Sequence, residues 1–241
     1  SLLSLYLVEL GASIAQVGMV FTVASLVPLA LQILGGWLSD TIGRLRSIAL
    51  GSSISVIGYV LFFLAPTWQW VMLGLSIEYI SNAVVSPSFS AYIAEQSSEQ
   101  QRGRVFGLTR SLYMVVTVIG PALAGLLAYR LNFRWMLLVA FVFYASATLV
   151  RIWMATTERF AAAGKAGKPT LAGMRTQVGA MFALLFAGGL LTWIWVTDAV
   201  GDTAFNPIYQ VYPLDLSSLG KQNVEQIGLL DVAWVAALIL A

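Results

Sequence analysis

Four acids stand within or at the edge of long apolar runs in this 241-residue chain: Glu78, Asp198, Asp202 and Asp231. A carboxylate at bilayer depth is costly and faces a cavity or a partner, so such residues mark substrate or proton pathways. The chain has no His and no Cys. That removes thiolate nucleophiles, disulfides and most zinc and haem sites, and leaves proton chemistry to carboxylates. Asn82, Ser86 and Ser90 follow Glu78 at helical spacing on one face, either as a pathway lining or as a hydrogen-bonded packing stripe. Asp198, Asp202 and Asn206 form a second stripe spaced i, i+4, i+8, just before the helix-distorting Pro207. Asp231 falls about two turns into the last apolar run, or near its outer rim.

These residues need apolar elements to hold them. The chain is 59% hydrophobic and 10% charged, whereas a soluble domain carries roughly a quarter charged residues, so this is an integral membrane protein. A spanning helix needs about 20 mainly apolar residues. Qualifying runs lie near 17–38, 47–66, 69–93, 104–128 and 133–155; a sixth begins between 179 and 187 and a seventh near 224. Runs of this length far exceed the 9–11 residues of a barrel strand, so the expected fold is an all-α polytopic bundle. Residues 1–10 are too short to span and read as the tail of an earlier helix.

Charge orients the bundle. With the turn at Gly36–Arg46 cytoplasmic, Arg44, Arg46, Arg102, Arg104, Arg110, Arg151, Arg159, Lys165, Lys168 and Arg175 fall on or near that side. Arg130, Arg134 and Lys221 are left outside, a split of ten against three among the 13 basic residues, as the positive-inside rule requires. The expected organisation is an N-terminal bundle over 1–154, a basic, small-residue-rich cytoplasmic linker over 155–178, and the start of a second bundle over 179–241. A repeat supports the division. Tyr6-Leu-Val-Glu9-Leu10 and Ala15-Gln16-Val17-Gly18 recur as Tyr212-Pro-Leu-Asp215-Leu216 and Glu225-Gln226-Ile227-Gly228, the pattern of two parallel-related halves.

The run beginning between 179 and 187, the seventh helix once the tail at 1–10 is counted as the first, has two readings. Hydropathy alone spans 179–197 and leaves Asp198 and Asp202 in the external loop. The repeat instead puts Tyr212 at the outer surface, and Asp202 and Asp198 about 15 and 21 Å deeper at 1.5 Å per residue.

Residues 36–46 read Gly-Trp-Leu-Ser-Asp-Thr-Ile-Gly-Arg-Leu-Arg between two apolar runs. Gly36 suits a close helix approach, Asp40 can cap a helix and accept bonds from Arg44, and the arginines suit an anionic surface. Taken alone, the segment is also an ordinary positive-inside turn. It resembles the loop between helices 2 and 3 of the major facilitator superfamily, Gly-x-Leu-Ala-Asp-(Arg/Lys)-x-Gly-(Arg/Lys)-(Arg/Lys). Gly36, Leu38, Asp40, Gly43 and Arg44 match; Thr41 and Leu45 depart. The resemblance implies that this loop latches two bundles in an outward-facing state. Gly120, Pro121 and Gly125 are similar in part to the antiporter signature of helix 5, with Val116 and Ala124 replacing two of its glycines. The same segment also reads as a kinked packing face. Pro87, read as following helix 4, then Ala94-Glu95 and Arg102-Gly103-Arg104 resemble a further superfamily pattern, in which Glu95 and Arg110 would form a cytoplasmic ion pair. No Arg occurs between residues 47 and 101, unlike many antiporters.

The implied protein is a cell-membrane transporter working by alternating access, expected here from the tail of helix 1 to part of helix 8. Export of a small organic solute by proton antiport is the first expectation, with a cavity lined by Glu78, Trp193, Trp195 and Tyr209. A proton symporter or facilitator importing sugars or metabolites is the second, and a non-transporting receptor or assembly subunit the third. The expected partners are a small-molecule substrate and the bilayer, with no nucleic acid, no cofactor beyond a driving proton gradient, no enzymatic activity, and a monomer as the complete unit.

Overall fold

The computed structural model describes residues 2–157 continuously, and beyond them 179, 183, 188–189, 192–193, 196–197, 212–215, 217, 225–227 and 229–230. No strand occurs among the described residues. Six helices run in order: α1 (Leu2–Glu9), α2 (Ile14–Ile42), α3 (Arg44–Leu64), α4 (Trp68–Gln96), α5 (Glu99–Arg130) and α6 (Phe133–Thr156). The linker beyond 157 and the later acids Asp198, Asp202 and Asp231, with Asn206, lie outside the described residues.

The helices begin and end where local chemistry dictates. Ser13 caps α2 in a reciprocal box: its hydroxyl accepts from the Gln16 N–H at 3.3 Å, and Gln16 Oε1 accepts from the Ser13 N–H at 2.8 Å. This satisfies two of the amide groups that a helix start leaves unpaired. It also explains why α2 starts three residues before the apolar run. Pro66 biases Ala65 towards extended backbone, and α3 stops at Leu64. Asn132 caps α6 by accepting from the Trp135 N–H at 3.1 Å, at a φ of 139°.

Among the described residues, three helices, α3, α5 and α6, are long and apolar enough to cross a membrane. On α6, the exposed Trp135 and Trp153 are 18 positions apart, about 27 Å along the axis. That matches the distance between the two interfaces where tryptophan collects. α4 is also long, at 29 residues, but Ser76, Glu78, Ser81, Asn82, Ser86, Ser88 and Ser90 interrupt its apolar character. It runs unbroken through Pro87 to Gln96, so Pro87 lies inside the helix and does not follow it.

Small residues bring α2, α3 and α4 together. A Cβ on Gly58 would sit 2.8 Å from the Gly74 carbonyl oxygen, and one on Gly74 would sit 2.9 Å from that of Gly58. Gly51 packs against Ser81 and Val85, and the Ser81 hydroxyl donates to the Gly51 carbonyl. Where hydrocarbon surrounds the bundle, association rests on such close packing and not on expulsion of water. Gly35, not its neighbour Gly36, makes the α2 approach to Ala83 and Val84 of α4; Gly36 faces open space.

The apolar core gathers at the end where α1 turns into α2. Tyr6, Leu7, Val17, Val20 and Phe21 cluster there with Phe62, Val71 and Phe133. Tyr6 donates to the Phe62 carbonyl at 3.3 Å and Arg134 to the Ala65 carbonyl at 3.5 Å, so two carbonyls left open at the end of α3 gain partners. Leu214 and Ile227, from the second copy of the repeat, are buried in this same cluster.

Candidate functional site

A single residue, Gly43, separates α2 from α3. Its φ of 95° belongs to glycine, because an L side chain there is strained. The tight turn fixes Asp40 in the last turn of α2 one helical step from Arg44 at the start of α3, and the two pair directly. Asp40 therefore lies within α2, and Gly43 occupies the capping position of α3. Arg44 also donates through Nη1 to the Ser39 hydroxyl at 3.0 Å and through Nε to Glu95 Oε1 at 3.0 Å, and its Nη2 lies 2.9 Å from the same oxygen in an ion pair. Its side chain is 19% exposed, against 40% for Asp40 and 39% for Glu95. One guanidinium thus ties α2, α3 and α4 together with the planar fork that suits carboxylates.

The partner of Glu95 is Arg44 and not Arg110. Arg110 projects from α5, where its guanidinium lies 5.6 Å from the centre of the Tyr113 ring. Thr41 stands where the resembled loop carries a basic residue, and its hydroxyl donates to the Leu38 carbonyl at 2.9 Å.

α4 presents two polar faces. Gly74, Ser81 and Ser88 are buried, and the first two lie on the α3 seam. On the other side Asn82, Ser86 and Ser90 are exposed together with Phe89, while Glu78 is half-buried at the head of the row. Glu78 lies close enough to Tyr59 and Tyr79 to act electrostatically on both. Among the described residues no basic side chain forms an ion pair with Glu78. A hydrogen-bonding row ending in a carboxylate can bind polar groups of a solute or carry a proton.

In α5 the helix continues through Pro121; Gly120 faces open space and Gly125 is buried. Trp193 is exposed, and Trp195 and Tyr209 lie outside the described residues.

A model of the Major Facilitator Superfamily matches residues 1–241. The chain belongs to the major facilitator superfamily. Among curated relatives, Quinolone resistance protein NorA of Staphylococcus aureus (strain MRSA252) is 25% identical over 126 residues, 52% of this chain and 32% of its own length. The uncharacterized MFS-type transporter MT1926 of Mycobacterium tuberculosis (strain CDC 1551 / Oshkosh) is 30% identical over 103 residues, 43% of this chain and 15% of its own. The chain therefore spans about a third or less of the length of these relatives.

Two parts of this superfamily member are not among the residues that sequence reasoning singles out for a site. Ser39 and Gly35 stand one residue before positions that the motif singles out, and only the helix phase shows that they make the contacts. The burial of Leu214 and Ile227 in one cluster with Tyr6, Leu7 and Val17 had a signal in the repeat, which aligns Val17 with Ile227.

Proposed function

We propose that this chain is part of a secondary transporter that moves a small organic solute across the cell membrane by alternating access, coupled to proton antiport in the direction of export. The exposed polar row on α4, headed by Glu78 in an otherwise apolar bundle, carries this reading. A helix that shows hydrogen-bonding groups at membrane depth needs water, a solute or a protein partner beside them.

The seal supports the alternating part. Leu214 and Ile227 close the α1–α2 end of the bundle against residues of the first repeat. With the ten-to-three split of basic residues, that end is the outer one and the Gly43 end is cytoplasmic. The arrangement corresponds to a pathway closed outside. Arg44 bonds to Ser39, Asp40 and Glu95 within its own bundle. Export of an organic solute agrees with the resistance activity in the name of the staphylococcal relative. Under the repeat alignment the proton carrier we assign is Asp202, with Asp198 and Glu78 as the alternatives.

The full-length protein in proteoliposomes tests this. Substrate-dependent proton movement should accompany uphill transport, and Glu78→Gln with Asp202→Asn should remove accumulation while leaving passive exchange. Full uphill transport by both single variants, with unchanged pH dependence, would overturn the assignment. Absence of any substrate-driven flux would overturn the transporter reading itself.

A further inference from the structure

Between α3 and α6 lies a cation that neither the latch nor the polar row uses. Arg151 of α6 donates through Nη1 to the Ser52 hydroxyl of α3 at 2.6 Å. Its guanidinium lies 5.7 Å from the centre of the Tyr144 ring, and Tyr144 in turn stacks on Tyr59 at 4.8 Å. Ser52 is fully buried and Arg151 half-buried. A guanidinium has five N–H donors, and among the described residues one hydroxyl accepts from it and no carboxylate pairs with it.

Depth and surroundings bear on what this guanidinium can bind. Arg151 is two residues before the exposed Trp153, about 3 Å along the helix, which places it just inside the interface that Trp153 marks. On one flank of α6 beside it, Val150 and, two turns back, Phe143 are exposed and apolar. We infer that the α3–α6 seam is a lipid headgroup site, with Arg151, held by Ser52 and Tyr144, binding the phosphate of an anionic phospholipid whose chains lie along Phe143 and Val150. An apolar flank of this kind admits a lipid more readily than a hydrated ion. Leaving a membrane-embedded cation without a counter-charge is unfavourable, and a phosphate offers the planar fork two acceptor oxygens.

Phosphatidylglycerol titrated into the detergent-purified full-length protein, with bound lipid counted by native mass spectrometry, tests the site. Arg151→Gln should weaken phosphatidylglycerol at least about fivefold. Arg130→Gln, at the exposed end of α5, should leave it unchanged, and inorganic phosphate should not displace it. Wild-type affinity in Arg151→Gln, an equal loss in Arg130→Gln, or displacement by inorganic phosphate each overturns the proposal; the last would assign the seam to a free anion. Arg151→Lys keeps the charge without the fork and serves where the Gln variant does not fold. A clear weakening supports the site, and undiminished affinity there rejects it.

Discussion

Adjacent glycines in α2 should respond in opposite ways to the same added methyl group. A Cβ on Gly35 would lie 2.9 Å from the carbonyl carbon of Ala83 and 3.0 Å from Val84 Cα, with the carbonyl oxygen nearer still. All three atoms are α4 backbone, so no side chain can swing aside. Restoring an ordinary contact of roughly 3.5–4 Å requires the two helices to part by about an ångström, which loses dispersion contacts along the whole seam. Overpacking of this kind costs about 1–3 kcal/mol. A Cβ on Gly36 meets nothing within 4 Å, and alanine is the better helix former by up to about 1 kcal/mol. Gly35→Ala should therefore lower the thermal midpoint of the purified full-length protein by several degrees, while Gly36→Ala leaves it level or raises it. Equal midpoints for the two variants, or greater damage at Gly36, would refute the assignment of the α2–α4 contact to Gly35.

Two further predictions concern polar contacts. A double-mutant cycle between Arg44→Gln and Glu95→Gln should give a coupling of about 0.2–1 kcal/mol, the scale of a partly exposed pair, and the cycle of Glu95→Gln with Arg110→Gln should give none; thermal or denaturant midpoints read both. At Asn132, with φ 139° and ψ 173°, Asn132→Ala should lose about 1 kcal/mol for the α6 cap and add backbone strain, whereas Asn132→Gly relieves the strain and is expected to cost only a few tenths of a kcal/mol; a Gly variant no more stable than the Ala variant would contradict this account.

Much of the bundle was legible in the sequence because a hydrocarbon environment imposes simple demands. Apolar length, the absence of backbone alternatives to a helix, and one tight glycine turn place α2 to α6 within a few residues of their observed limits. The limits themselves shift where polar groups take over. Ser13 and Gln16 extend α2 beyond its apolar run by capping it, and α4 continues past the Pro87 that a linear reading sets after it. Helix-start chemistry is local and can be read from a few residues. The tolerance of an interior proline depends on neighbouring helices and cannot.

The site was less legible, for two physical reasons. The first is helix phase. Gly35 and Gly36 differ by about 100° around α2, so one packs on α4 and the other faces open space, and the motif's spacing does not say which. The second is reach. Glu95 was assigned to Arg110, 15 positions on, while its partner Arg44 lies 51 positions back. In a bundle of antiparallel helices, residues near the same end come together whatever their separation along the chain. Arg44, Ser39, Asp40 and Glu95 all lie near the Gly43 end, just as Tyr6, Phe62 and Phe133 meet at the other. Arg151 follows the same logic: it meets Ser52 across 99 positions because α3 and α6 run side by side. A positive-inside count treats Arg151 only as one more charge on the cytoplasmic side. Its partners among the described residues are a buried hydroxyl and an aromatic face, with no carboxylate, and that is what turns a topological marker into a candidate binding group.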